Sequence, residues 1–485
     1  MDTIKIEKID ETYNKIHCDP SIAYELNDYF TFDVPGAKFM PAYRNKFWDG
    51  KIRLFQILTG YLYGGLNRYV EEFCRARNYE IEYLSDFSAD EFSVVEAKEF
   101  IDKLKLPEKY QPRDYQLEAF VHAVRERRAL MLSPTASGKS FIIYLITRYY
   151  HARTLIIVPT TSLVSQLASD FGDYGLVSDR FVHRIFAGQD KQSDKPITIS
   201  TWQSIYKMPK EYFEQFDVVI GDEAHLFKAK SLTSIMSKLD SCRYRFGFTG
   251  TLDGTQTHKL VLEGLFGVVR KVTTTAELIE QKHLASFKIK AIVLSYPDEI
   301  RKMIARSADY QAEMDYLVRL DARNKFIRNL TLSLEGNTLL LFQYVEKHGK
   351  VLFDRISKEA GDRKIFYVSG EVDGEEREEI RKIVETEQNA IIVASYGTFS
   401  TGVNIRNLHN VIFSSPSKSK IRNLQSIGRG LRKSDSKDSA TLYDIADDMS
   451  WKSKKNFTLL HFMERIKIYN EEKFPYKLYN VTLSI

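Results

Sequence analysis

At 485 residues the chain has room for about three domains of ordinary size. Hydrophobic residues make up 43% and charged residues 28%, the balance of an average globular chain, which excludes a disordered or collagen-like polymer. Lys and Arg number 70 against 65 Asp and Glu, and the resulting +5 is too weak to demonstrate a nucleic-acid partner by itself.

The longest purely apolar runs, Leu155 to Val158 and Leu339 to Phe342, fall far short of the roughly 18–20 residues of a membrane span. The start, Met1-Asp2-Thr3-Ile4-Lys5, lacks the apolar core of a signal peptide. Cys18, Cys74 and Cys242 are dispersed, so neither a disulfide framework nor a zinc knuckle is expected. A soluble intracellular protein is the expectation.

In chain order, residues 1–108 read as a small α/β domain. Strands are expected over Thr3 to Ile9 and Lys51 to Leu58, and a helix around Leu66, Tyr69, Val70 and Phe73. Basic residues crowd this stretch, whereas Asp86 to Glu99 reads as an acidic, solvated helix. Leu104 to Arg113, with Pro107 and Pro112, reads as a linker.

From Tyr115 helical stretches alternate with short β-branched strands: Arg128 to Leu132, Thr154 to Val158, Pro196 to Ser200, Val218 to Ile220 and Tyr244 to Phe248. A charged helical stretch, Asp298 to Asn324, follows. The alternation then restarts with Thr338 to Phe342, Lys364 to Val368, Ala390 to Ala394 and Asn410 to Phe413. Such alternation implies parallel sheets wound by crossover helices, hence two tandem α/β domains, 109–283 and 284–455. Residues 456–485 read as a helix, Leu459 to Tyr469, and an extended tail.

Two motifs carry chemistry. Pro134-Thr135-Ala136-Ser137-Gly138-Lys139-Ser140 follows an expected strand and opens an expected helix, the setting of a phosphate-binding P-loop. Backbone N–H groups there would wrap phosphates, Lys139 would reach the β/γ-phosphates of ATP, and the Ser140 hydroxyl would hold Mg²⁺. Ser133 stands where the pattern has its first glycine. Asp222-Glu223-Ala224-His225 ends a second apolar strand; Asp222 suits the Mg²⁺ water shell and Glu223 the polarisation of an attacking water.

The order of these motifs, followed by Phe248-Thr249-Gly250-Thr251 and Gln425-Ser426-Ile427-Gly428-Arg429-Gly430-Leu431-Arg432, resembles superfamily 2 helicases and translocases. That resemblance implies two RecA-like motor domains. Arg113-Asp114-Tyr115-Gln116 resembles the adenine-reading Q-motif and Ser395 to Asn404, including Gly402, the motif that couples ATP to the track. It also implies that Gln425, Arg429 and Arg432 serve hydrolysis, the two arginines as fingers on the transferring phosphoryl group. Loops with Pro159, Thr160 and Thr201 would touch nucleic-acid phosphates, and Trp202 would be either such a contact or packed core.

The segment Phe47-Trp48-Asp49-Gly50-Lys51-Ile52-Arg53-Leu54, with Tyr367 to Asp373, narrows the resemblance to the phage UvsW helicase family. That family implies an ATP-dependent DNA helicase for branched or forked DNA and RNA–DNA hybrids, acting in fork regression, branch migration and R-loop dissociation. It further implies a monomer in the infected host's cytoplasm, working beside replication and recombination proteins. Read from the residues, Lys51 and Arg53 would hold duplex phosphates while Trp48 either stacks at a branch point or anchors the core. A chain lacking residues 1–108 is then expected to stay soluble and hydrolyse ATP, but to lose its preference for forks. An RNA-directed motor, a restriction translocase and a nucleotide-gated binding module without turnover are the alternatives.

Overall fold

The computed structural model describes residues 3–134, 136–186, 188, 190–228, 230–252, 255–306, 309–372, 374–398, 405, 407–415 and 439–484. They divide into two compact units: residues up to Ser133 with Gly138–Val272, and Pro134–Ser137 with Thr273 onward.

The first unit holds two sheets that share one core. The smaller is mixed, built from β1 (Thr3–Lys8), β2 (Tyr13–His17), β5 (Tyr61–Tyr63) and β6 (Glu80–Tyr83), beside a two-stranded ribbon of β3 (Thr31–Asp33) and β4 (Lys51–Arg53). The strand expected over Lys51 to Leu58 is thus only three residues long. The ladder ends where Arg53 meets Thr31, and Leu54 and Phe55 then turn into the core. The acidic stretch becomes helical only at Val94, where Ser93 and Glu96 form a reciprocal capping box.

The larger sheet comprises β7 (Arg128–Leu132), β8 (Thr154–Val158), β9 (Val182–Ile185), β10 (Ile197–Thr201), β11 (Val218–Asp222), β12 (Tyr244–Thr249) and β13 (Val269–Lys271). Its order is β13-β7-β12-β11-β8-β10-β9 with every pairing parallel. β8 and β10 are buried at every position, as strands covered by helices on both faces must be. The edge strands β9 and β13, short and half polar, carry too little apolar pattern to announce themselves in the sequence.

The small sheet and its helices are not a separable module. Ile4, Phe30, Leu66 and Phe73 lie in the same continuous core as Leu130, Val219, Leu262 and Phe266. Gly65 approaches the helix Gln256–Phe266 so closely that a Cβ there would sit 1.9 Å from the Glu263 carbonyl oxygen. Tyr69 donates to Glu263 at 2.6 Å and the Glu11 N–H to the Asp240 carbonyl at 2.8 Å. The buried Arg245 donates to the carbonyls of Met236, Leu239 and Leu265 and, at 3.4 Å, to the Thr12 hydroxyl. Truncation at residue 108 would strip these contacts and expose the shared core, so the expected soluble, truncated ATPase is not supported by the packing.

The second unit is one parallel sheet of β14 (Ser286–Ser295), β15 (Thr338–Phe342), β16 (Ile365–Val368), β17 (Ile391–Ser395), β18 (Asn410–Phe413), β19 (Ser439–Asp448) and β20 (Tyr476–Thr482). Its order is β16-β17-β15-β18-β19-β14-β20. The stretch expected as an extended tail is an edge strand: β20 pairs with β14 from Ile289 to Ser295. Two buried guanidiniums brace this sheet, Arg323 on Asp447 and Arg465 on Asp444, each carboxylate also accepting from a tyrosine, Tyr296 and Tyr469. Glu313 caps the helix Phe457–Glu471 from afar, accepting the N–H groups of Phe457 and Thr458, where a negative charge suits the helix N-terminus. Among the described residues no helix is long and apolar enough to cross a membrane.

Candidate nucleotide site and nucleic-acid surface

Parallel strands deliver their loops to one edge, and there, in the first unit, Lys139 at the end of the first motif meets Asp222 and Glu223 of the second. β7 leads into the loop 134–138, and the helix Lys139–Tyr150 begins directly after Gly138. Ala136 and Gly138 take left-handed φ values of +66° and +80°. The left-handed φ of Gly138 favours glycine; a Cβ there would stand 2.3 Å from Gln116 Nε2, the movable end of a side chain. Within the loop the Pro134 carbonyl accepts from the Ser137 N–H and Oγ at 3.2 and 2.7 Å. Ser133 is fully buried, donates its N–H to the Thr249 carbonyl, and does not sit at positive φ, so a side chain is tolerated in place of glycine.

β11 ends at Asp222, and Glu223 turns the chain at a φ of +50°, a strained value for a residue with a side chain. Lys139 Nζ reaches both carboxylates, at 3.5 Å to Asp222 and 3.0 Å to Glu223. Burial raises the Asp222 pKa, with the Glu223 charge adding to it against the pull of Lys139. For Glu223 burial also acts upward, but Lys139 and then His225 outweigh it and hold the carboxyl below the usual range. Glu223 Oε2 is buried without a hydrogen bond, His225 Nδ1 standing 3.4 Å away. A buried carboxylate oxygen left open at the end of a strained turn marks a position for a polar ligand or water.

The donors at this edge, the Asp222 carboxylate and the Ser140 hydroxyl, are all oxygen. Such a set suits Mg²⁺, which takes one or two protein oxygens and completes its shell with water and phosphate. Among the described residues no cluster of three or more His, Cys, Asp or Glu side chains is placed to hold a metal ion.

Two residues of the site carry no role in the sequence reading. Tyr174 holds the Ser140 hydroxyl at 2.8 Å and is wedged among Tyr110, Phe141 and Tyr144; it lies 34 positions from Ser140 with no motif around it. His225 hydrogen-bonds Thr249 Oγ1 at 3.1 Å, which in turn donates to the Thr251 carbonyl, a direct link between the two motifs. At the far side of the loop, Gln116 Oε1 accepts the Arg113 N–H at 2.9 Å and Arg113 Nη1 donates to Tyr115.

The expected nucleic-acid contacts divide. Pro159 and Thr160 are half exposed, Thr160 capping the helix Thr161–Asp173. Thr201, by contrast, is buried with its hydroxyl on Ser204, so a surface contact through that side chain is not available. Trp202 packs against the core and edge-on to Tyr206. Trp48 is half buried, its indole N–H committed to the Lys51 carbonyl at 2.8 Å; Lys51 and Arg53 are exposed, and Arg53 pairs with Asp49. Thr135, Gly402, Gln425, Arg429 and Arg432 lie outside the described residues.

Three family models match the chain: the N-terminal model of DNA helicase UvsW over residues 3–84, the res subunit of type III restriction enzymes over 109–254, and the helicase conserved C-terminal domain over 321–434. The ATP-dependent DNA helicase uvsW of Enterobacteria phage T4 is 37% identical, covering 99% of this chain and all of that one. A DNA 3'-5' translocase, XPB2 of Sulfurisphaera tokodaii, is 30% identical over 69% of this chain and 82% of its own. Among solved structures, that of T4 UvsW matches with a TM-score of 0.53 at 36% identity over 99% of this chain and all of that chain. A type ISP restriction-modification enzyme bound to DNA, LlaBIII, shares the fold alone: 17% identity and a TM-score of 0.57 over 84% of this chain and 34% of that one. An N-terminal sheet and an Asp-Glu-Ala-His turn in one unit, a P-loop motif in the sequence, and near end-to-end similarity to the T4 protein lead to one statement: the chain belongs to the UvsW family of DNA helicases.

Proposed function

We propose that this chain is an ATP-dependent DNA helicase that remodels branched or forked DNA, RNA–DNA hybrids included, in phage recombination, repair and replication. The observation that carries the reading is the Lys139 ammonium shared between Asp222 and Glu223 at the loop edge of a parallel sheet. A lysine poised for phosphate oxygens and a carboxylate with an open oxygen are what hydrolysis of a nucleoside triphosphate requires.

In this reading the backbone of Thr135 to Gly138 wraps the phosphates and Arg113 and Gln116 hold the adenine. Glu223 orients the attacking water. Ser140 and Asp222 would hold Mg²⁺, which supplies charge neutralisation at the β/γ-phosphates. Gln425, Arg429 and Arg432 are assigned to hydrolysis, and Gly402 to coupling, from their motifs. Pro159 and Thr160 with Lys51 and Arg53 are assigned to nucleic-acid phosphates. The four segments 1–108, 109–283, 284–455 and 456–485 are then an N-terminal nucleic-acid-binding part, two motor domains and a C-terminal helix with its tail.

The test is ATP-driven remodelling by the full chain, as a monomer, on a fork, a Holliday junction, an R-loop and a plain duplex. Faster turnover and remodelling on the branched substrates supports the reading. Equal activity on plain duplex, or ATP hydrolysis that ignores DNA, refutes it.

A further inference from the structure

Between β3 and β4 the chain makes an excursion from Val34 to Gly50, closed at its base by the Val34 N–H on the Gly50 carbonyl at 2.8 Å. Inside it only Ala37 and Gly50 are buried. Gly50 sits at a φ of +81°, and a Cβ there would touch the Tyr43 ring at 3.0 Å, so Tyr43 closes the base of the excursion. Trp48 is half buried, with its N–H bound to the Lys51 carbonyl. Lys46 adopts a left-handed φ of +58°, and the residue after it, Phe47, is turned out to 86% exposure. Phe39 is 66% exposed.

Two phenyl rings so open to water are a cost that folding of this chain does not recover. Around them stand Lys38, Arg44 and Lys46, all exposed, while Asp49 is neutralised by Arg53. A ligand for this surface must offer flat apolar faces and negative charge together. Fully paired duplex offers phosphates but hides its base faces; a strand with unpaired bases offers both. A protein partner would need an acidic rim around an apolar centre, and a second copy of this excursion, carrying the same basic residues, would repel.

We propose that Phe39 and Phe47 stack on unpaired bases of a nucleic-acid strand whose phosphates run over Lys38, Arg44 and Lys46. This rests on the reading of the chain as a helicase acting at branches, and specifies the strand it grips there.

The full chain with Phe39→Ala, Phe47→Ala, Phe47→Trp or Trp48→Ala is titrated by fluorescence anisotropy against oligo-dT, oligo-rU, a fork and a blunt duplex. The first two arms distinguish DNA from RNA as the source of the strand. Each phenyl removed should weaken single-strand and fork binding roughly tenfold, leave blunt duplex unchanged, and be rescued at position 47 by tryptophan. Ultraviolet crosslinking of 5-iodouracil oligonucleotides should map to Phe39 or Phe47. The proposal is overturned if single-strand binding survives both alanine variants, or if affinity for every substrate falls in step with a lowered melting temperature. It is equally overturned if light scattering shows Phe47→Ala dissociating an oligomer with nucleic-acid binding intact. A wild-type chain that binds no nucleic acid sinks the helicase reading as well. Loss of the phenyl effect in a chain that binds forks and hydrolyses ATP sinks only this inference.

Discussion

Arg323 and Lys139 each face carboxylates within a parallel α/β unit, but the two clusters are satisfied to different degrees. Arg323 is 1% exposed, grips both oxygens of the fully buried Asp447, and spends a further N–H on the Ser414 carbonyl. Tyr296 completes the carboxylate at 2.6 Å. Burial opposes the charge on Arg323, yet Asp447 more than compensates and raises its pKa. Lys139 is 18% exposed and divides one ammonium between two carboxylates, one of which keeps an open oxygen on a strained backbone. A saturated cluster holds a fold in one state. The Lys139 cluster is less complete: Glu223 Oε2 makes no hydrogen bond and has the His225 ring 3.4 Å away.

The sharpest way to break this contrast is to remove each cation. Arg323→Met leaves Asp447 buried and unpaired and should cost about 3–5 kcal/mol in denaturant unfolding, with Arg323→Met/Asp447→Leu recovering most of it. A single variant as stable as wild type would show that the pair is not what braces the second sheet. Lys139→Ala should cost less stability than Arg323→Met, because Asp222 and Glu223 keep 15% and 24% side-chain exposure where Asp447 keeps none, while lowering ATP turnover at least ~10³-fold. Near-normal turnover in a steady-state assay would remove the phosphate role from Lys139.

Glu223→Gln sharpens the same comparison with a smaller effect. It keeps the shape and loses the charge, so turnover should fall roughly 10²–10⁴-fold while ATP still binds and the DNA complex persists. Normal turnover would make the carboxylate structural only.

The mildest test is acid. His348 is fully buried beside Ser415, and burial with the nearby Arg323 charge pushes its pKa down to about 3. A histidine whose folded pKa is depressed contributes full stability above its unfolded value near 6.5. That stability is lost as pH falls toward 3, by about 2 kcal/mol at pH 5. Glu223, held below the usual carboxylate range, gives up its contribution only below about pH 4. Unfolding followed against pH should therefore weaken first through His348 and through His122, whose pKa burial and then the Arg270 and Arg125 charges lower to about 4, and His348→Gln should remove about half of the slope between pH 6.5 and 5. An unchanged slope would mean that another group carries it.

The strands and the two motifs were legible because they are local. Arg128 to Leu132 and Val218 to Asp222 announce themselves by apolar runs, and the residues after them by the phosphate-binding chemistry of a loop at a helix start. Legibility failed where a partner distant in sequence decides. Lys51 to Leu58 has strand-like residues throughout, yet the ladder ends where Arg53 meets Thr31: the next N–H, of Leu54, bonds the carbonyl of Phe30, which closes the preceding helix, and Leu54 and Phe55 turn into the core. Tyr476 to Thr482 looks like a tail and is a strand because β14, paired with β19 along one edge, offers its other edge from Ile289 to Ser295. Tyr174 shows no motif, and only the packing of four aromatic rings brings its hydroxyl to Ser140.

Taken by itself, the sequence determined the two parallel-sheet motor domains, the loop that would cradle phosphate and the Asp222-Glu223 pair, since each depends on residues within a few positions of one another. Tertiary structure alone decided that the N-terminal sheet shares the motor's core, through Gly65 against Glu263 and Arg245 on the carbonyls around Thr12. It decided also that Phe39 and Phe47 face water. The reason is the same in each case: local patterns set which face a segment would bury, but burial itself is settled by what the rest of the chain brings against that face.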